Sequence, residues 1–269
     1  MSKPVGIFDS GVGGLTVVRE VIKNLPGEDI IYVGDTARVP YGNKSPQTVT
    51  RYSFEIADFL LSKDIKILVV ACNTASAISL DTLKKQCKVP VVEVINPGVK
   101  KAIKSTSNFR IGVIGTEATV NSNSYYEAIK KLAPNSKIYN KACPLFVPLA
   151  EEGLLDDEIT LLTAKKYLKE LKKAGIDSLI LGCTHYPLLK KVIKKVMGNG
   201  VVLVDSAEEV AIEVERILKE NGSKKSKGTS HGNYEFFVTD FPERFKKVGK
   251  IFLGKNLNQV NQVNVSHGY

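Results

Sequence analysis

The chain has 269 residues, ordinary for two globular domains, and no apolar stretch reaches the ~18 residues needed to cross a bilayer. Its four cysteines are too few for a disulfide scaffold at this length, which leaves thiols as the expectation, and they contain no C-x-x-C pair, which argues against a zinc knuckle and a thioredoxin-type site. The net charge is +10, but the lysines recur in pairs at solvent-face spacing without interleaved aromatics, so a solvated surface is expected and no nucleic-acid partner.

The N-terminus, "MSKPVGIFDSG", runs straight into an expected strand, "VGIF" (5–8), and does not look like a signal peptide; a cytoplasmic protein is expected. Helix-length "GLTVVREVIKNL" (14–25) follows, then strand "DIIYV" (29–33) and helix "PQTVTRYSFEIADFLLSK" (46–63). Strand "KILVVA" (66–71), helix "TASAISLDTLKKQC" (74–87) and strand "VPVVEV" (89–94) close a first series. A second series begins with strand "RIGVIG" (110–115), helix "TVNSNSYYEAIKKLA" (119–133) and strand "KIYNKA" (137–142). Helix "DEITLLTAKKYLKELKKAG" (157–175), strand "DSLILG" (177–182), helix "YPLLKKVIKKVMG" (186–198) and strand "VVLVD" (201–205) complete it. Beyond lie helix "SAEEVAIEVERILKENG" (206–222), a loop (223–232), strand "NYEFFVT" (233–239), helix "FPERFKKVGKIF" (241–252) and a tail of weak signals. The β–α alternation predicts mostly parallel sheets covered by helices on both faces.

The two series match in order. Phe8 and Cys72 stand 64 residues apart, Ile114 and Cys183 stand 69 apart, and each interval holds a helix, a strand, a longer loop, a second helix and a third strand. Each third strand ends on a cysteine, in "VVACNTASA" and in "LILGCTHYP". Ligands of open parallel sheets bind outside the carboxyl ends of the strands. The chain sets polar residues there: "DSGVGG" (9–14), "GDTARVPYGNKS" (34–45) and "CNTAS" (72–76), then "GTEATVNS" (115–122), "CPLFVPLAEEG" (143–153) and "CTH" (183–185). Asn73, Thr74 and Thr184 sit at expected helix starts, whose free N–H groups suit a carboxylate or phosphate and lower a neighbouring thiol's pKa. Cys72 and Cys183 are therefore candidate proton-transfer groups, whereas Cys87 and Cys143 are expected to be packing residues.

"DSGVGG" is not a dinucleotide fingerprint, because G-x-G-x-x-G would place glycine at position 16, where Thr16 stands; nor is there a Walker lysine. Its glycines still permit close backbone approach to a small ligand, with Asp9 at the mouth as acceptor for an ammonium group or as a cap of the following turn. His185, two residues after Cys183, is a candidate acid/base helper or carboxylate donor, while His231 and His267 fall in loop and tail. One of Glu151 and Glu152 can polarise His185 or the thiol, the other being solvated. Two thiols on two halves suit inversion of a stereocentre, in which one group removes a proton and the other delivers one to the opposite face.

The runs "GIFDSGVGGLTV", "GDTARVPYGNKS", "ACNTASA", "CPLFVPLAEEG" and "GCTHYPLL" resemble the glutamate racemases of the cofactor-independent Asp/Glu racemase family, in order, over about residues 4–207. The resemblance implies two similar α/β domains related by a pseudo-two-fold, with mostly parallel sheets and the active site in the cleft between them. Residues 1–97 plus 208–269 would form the first domain and 98–207 the second. It implies interconversion of L- and D-glutamate without cofactor or metal, supply of D-glutamate for peptidoglycan, and a homodimer. It makes Cys72 and Cys183 the paired acid/base thiols, assisted by Asp9 on the Cys72 side and by Glu151 and His185 on the other. It places substrate contacts at Asp9, Ser10, Tyr41, Gly42, Asn73, Thr74, Thr184 and His185, with Thr116 and Thr119 as further contributors.

Three alternatives stand beside it. An aspartate racemase would use the same thiol pair. A Cys183–His185–Glu151 nucleophilic triad for amide chemistry would leave Cys72 without a task. A binding module would explain Asp9 and the helix starts but neither thiol.

Overall fold

A computed structural model describes residues 3–225 and 231–265; part of the expected 223–232 loop, and His267, lie outside the described residues. The chain runs β1 (Val5–Asp9), α1 (Leu15–Asn24), β2 (Ile30–Gly34), α2 (Pro46–Ser62), β3 (Ile67–Val70), α3 (Asn73–Gln86), β4 (Val91–Glu93) and α4 (Ile95–Ser105). It repeats with β5 (Arg110–Gly115), α5 (Glu117–Asn121), α6 (Ser124–Leu132), β6 (Lys137–Ala142), α7 (Phe146–Glu151), α8 (Glu158–Lys173), β7 (Ser178–Gly182), α9 (Lys190–Met197), β8 (Val202–Asp205) and α10 (Ser206–Glu220). It closes with β9 (Tyr234–Val238), α11 (Pro242–Leu253) and β10 (Asn261–Gln262).

Two parallel sheets result, ordered β10-β9-β2-β1-β3-β4 and β6-β5-β7-β8. The order β2-β1-β3-β4 in the first recurs as β6-β5-β7-β8 in the second, so β3 and β7 are equivalent strands. Side-chain alternation explains how the first sheet is covered. Val5, Ile7, Ile30, Tyr32, Ile67 and Val69 face one way, in a core shared with Leu15, Val18 and Val21 of α1. Phe8, Ile31, Val33, Leu68 and Val70 face the other, in a core shared with Val49, Ile56 and Leu60 of α2. The α1-side core runs on without a break through Val99 of α4 and Val210 of α10 to Ile111 and Ile180 of the second sheet. Helix α10 follows the last strand of the second sheet but packs on α1 and α4, tying the halves together.

Several elements differ from the sequence expectation. The helix expected over 119–133 is two, α5 and α6, broken at Asn123 with φ +58°, a left-handed conformation that asparagine tolerates better than most residues. The helix expected over 186–198 begins as a 3-10 turn, Tyr186–Leu189, with Pro187 in it, before α9. Helices α4 and α7 and the short β10 lie where no element is expected. Of the paired lysines, Lys190 and Lys194 are half-buried rather than fully solvated; Lys190 pairs with Asp205 at 2.7 Å.

Candidate active site

The two thiols occupy the same place in the repeated topology. Each follows the last residue or two of its sheet's third strand, and both are buried. Cys72 is the N-cap of α3: the Ala75 N–H donates to its Sγ at 3.5 Å, and its S–H donates to Ser10 Oγ at 3.7 Å. The helix start does not leave its pKa lowered, contrary to the sequence expectation. Burial, with the Asp9 carboxylate second, pushes the thiol up to about 12, outweighing the N–H of Ala75 and the contacts to Ser10. Cys72 therefore rests as a protonated donor.

Asp9 ends β1 and is 1% exposed. Burial raises its pKa above the ordinary value, opposed by the His185 charge and by backbone N–H groups of the following turn. Its Oδ1 accepts from the Gly11 N–H at 2.9 Å, the cap the loop sequence suggests, and its Oδ2 accepts from Thr184 Oγ1 at 3.3 Å. Thr16 Oγ1 donates to the Thr184 carbonyl at 3.0 Å. The Asp9 loop thus lies directly on the Cys183 loop. Gly13 is the crossing point: a methyl there would stand 2.3 Å from Thr184 Oγ1 and 2.5 Å from His185 Cε1.

On the second side, Cys183 Sγ lies 3.8 Å from His185 Nδ1, and His185 Nε2 lies 3.1 Å from Glu151 Oε1. Glu151 ends α7 and is half-buried, while Glu152 is exposed, so the pair "AEEG" resolves to one partner and one solvated acid. Burial works against charge on His185, but the contacts to Cys183 and Glu151 prevail and raise its pKa to about 10. The His185 contact in turn holds the Glu151 carboxyl below its ordinary range. The result is an imidazolium that can donate to the Cys183 sulfur. Because the folded pKa exceeds the unfolded value of ~6.5, this group's stabilisation is full below pH ~6.5 and is lost as pH rises through about 10. An NMR titration of the ring nitrogens is expected to show His185 still protonated at pH 8; a midpoint near 6.5 would contradict it.

A third cluster joins the halves with neutral groups. The hydroxyls of Thr74, Thr116 and Thr119 form a triangle: 3.0 Å from Thr74 to Thr116, 3.2 Å from Thr74 to Thr119 and 3.0 Å between the last two. Thr116 caps α5, accepting from the Thr119 N–H. Asn73 Oδ1 accepts from the Tyr125 hydroxyl at 2.6 Å, again across the halves. Gly42 lies so close to Thr116 that a methyl would stand 2.8 Å from its Cβ. The Tyr41 side chain does not point toward this cluster; its hydroxyl donates to buried Asp35, which also accepts from Arg38 Nε and from Thr239 Oγ1 at 2.8 Å.

Contacts at the strand ends thus link Cys72 to Ser10, Asp9 to Thr184, and Cys183 through His185 to Glu151, while the Tyr41 side chain is turned to Asp35. Residues the sequence did not single out complete the site. Asp35 lies in the strand-end block 34–45 and is the most visible of them. Tyr125, Arg244 and Phe252 lie in helices and gave no local signal. Cys143 is buried with its thiol pushed up to about 12 by burial, in keeping with a packing role. Among the described residues, no group of three or more His, Cys, Asp or Glu side chains is disposed to hold a metal ion.

The family model for Asp/Glu/Hydantoin racemases matches residues 10–214. The glutamate racemase of Geobacter metallireducens is 57% identical over 264 residues, covering 98% of this chain and 97% of that protein. A crystal structure of a glutamate racemase isoform from Bacillus anthracis superposes with a TM-score of 0.93 at 42% identity, over 97% of each chain. That of the glutamate racemase from Francisella tularensis, in complex with D-glutamate, gives a TM-score of 0.91 at 40% identity over 98% of each chain.

Proposed function

This chain belongs to the Asp/Glu/Hydantoin racemase family and is an amino-acid racemase, and on that premise we propose that it interconverts L- and D-glutamate without a cofactor, by proton transfer between Cys72 and Cys183. One thiol, as thiolate, takes the α-proton; the other, as S–H, delivers its proton to the opposite face. The α-carbon loses one proton to the first sulfur and gains a different one from the second, so the two sulfurs exchange protonation states. The α-proton of an amino-acid carboxylate is weakly acidic, so donors must stabilise the enediolate-like charge. The hydroxyls of Thr74, Thr116 and Thr119, the N-terminus of α3 and the backbone at Tyr41–Gly42 are the groups we assign to that task, with Ser10, Asn73 and Thr184 as further contacts.

One observation carries the proposal: equivalent strands β3 and β7 each deliver a buried thiol, and the two sides have different helpers. Cys72, protonated beside Asp9 and Ser10, suits a resting donor. Cys183, beside an imidazolium held by Glu151, has a group that can supply or hold a proton. A Cys183–His185–Glu151 triad for amide hydrolysis gives Cys72 no role, and a binding module needs neither thiol. Glutamate rather than aspartate is supported by the relatives' names. We further propose two lobes, residues 1–97 with 208–269 and residues 98–207, a homodimer, and a cytoplasmic role in supplying D-glutamate for peptidoglycan. All four cysteines are free thiols, in keeping with a reducing compartment.

Incubation with L-glutamate in deuterated water tests the chemistry. The D product is expected to carry α-deuterium while the remaining L substrate stays unlabelled at early times. Equal early labelling of both enantiomers would point to a single base, and no conversion would leave a binder.

A further inference from the structure

The family match ends at residue 214, yet the later helix α11 reaches the second thiol's helpers. Arg244, Val248 and Phe252 recur every four residues and so share one face of it. The Phe252 ring, fully buried, meets His185 edge-on, with centroids 5.0 Å apart and planes at 80°. Arg244 Nη2 lies 3.7 Å from Glu151 Oε2, the oxygen not used by His185. Arg244, Val248 and Glu151 line a cavity of about 290 Å³ together with Gly11 and Val12. Helix α11 is itself fixed from beneath: Phe245 packs on Tyr32, and Gly249 lies hard against Leu15 and Leu257.

We infer that one face of α11 clamps the Glu151–His185 pair and that Arg244 is a positioning residue for the Cys183 half of the reaction. The inference rests on the two-thiol proposal. A carboxylate with one oxygen engaged can still swing about its side-chain torsions. Arg244 engages the second oxygen, which keeps Oε1 turned to the imidazole, while Phe252 stops the ring from turning away. The charges facing this pair are few. Arg244 and His185 face Glu151; Cys183, Glu151 and, at longer range, Asp9 face His185; Asp240 stands on the wall of the same cavity. Removing Arg244 takes one of two cations from Glu151, so that carboxyl titrates higher, and the acid limb of the rate profile moves up with it.

The test measures kcat in each direction against pH, at low and high salt, for the intact wild-type enzyme, R244A and R244K. The ion pair is partly exposed, so the expected loss in R244A is about two- to fivefold in kcat. Its acid limb is expected to shift upward and to lose its salt dependence, and R244K is expected to recover most of the wild-type profile. High salt should carry the wild type toward R244A, because salt screens exposed pairs. The factor in kcat/KM must be equal in both directions, since enantiomers have equal free energy; kcat alone resolves the side. An unmoved acid limb in R244A, or no recovery in R244K, overturns the clamp. C183A run alongside separates the two claims: if it is inactive while R244A behaves as wild type, only the clamp has failed, whereas if C183A turns over normally, the two-thiol proposal itself has failed.

Discussion

Replacing Cys72 or Cys183 with alanine is expected to remove racemisation, each variant falling by roughly 10²–10⁴-fold or more, the worth of one positioned acid/base group. In the proposed mechanism both thiols act in every turnover, so neither can compensate for the other. Folding is not the expected cause of the loss. Each substitution removes a single buried sulfur, and among the described residues each thiol's hydrogen-bond partners lie in its own half of the protein. The stronger form of the result lies in exchange rather than turnover. A variant left with one thiol can still remove the α-proton of whichever enantiomer presents it to that thiol, and can return solvent deuterium to the same face. C72A and C183A are thus expected to label opposite enantiomers in deuterated water without interconverting them. Near-normal racemisation by either variant would end the two-thiol mechanism, and labelling of the same enantiomer by both would place the thiols on one face.

Gly13→Ala is expected to be nearly as damaging although Gly13 itself carries no reacting group. The added methyl would lie 2.3 Å from Thr184 Oγ1 and 2.5 Å from both Cε1 and Nδ1 of His185, far inside van der Waals contact. None of these atoms can yield freely. Thr184 is bonded to Asp9, and His185 is held by Glu151, Phe252 and the Cys183 contact. The two loops must therefore part by on the order of an ångström, and a displacement of that size costs about 10²-fold in rate. Thermal unfolding should change far less than kcat/KM, since the crossing lies at the strand ends and not within the sheets. Wild-type kcat/KM in the variant would show that the loops separate during the cycle anyway.

The sequence displayed the sheets well because their strands are short apolar runs bounded by turn residues; the second-half strands at 110–115 and 137–142 have the bounds expected of them. It displayed the thiols because each stands where a buried strand turns polar. It hid α4 and α7 behind their prolines. Pro97 and Pro148 each stand third in their helix, where a missing N–H breaks no internal hydrogen bond, yet on paper each looks like an interruption. It suggested that both thiols would be activated by helix starts, and for Cys72 that was wrong, because local helix geometry says nothing of how completely the thiol is buried or that Asp9 stands beside it. The reach of α11 to Glu151 and His185 was illegible for a simpler reason: Arg244 and Phe252 follow Glu151 by about a hundred residues, and periodicity tells which face of a helix is apolar but not what it meets.

The threonine triangle has a property that follows from its size alone. Three hydroxyls closed in a ring each give one hydrogen and take one, and the circuit can run clockwise or anticlockwise with no heavy atom displaced. Both senses have the same contacts, so no hydroxyl has a fixed direction. An arriving acceptor needs only three torsional flips to find three hydrogens turned toward it, and its departure lets the circuit close again in either sense. At the triangle the seam between the halves is thereby both shut and ready, with no charge stored in the three hydroxyls.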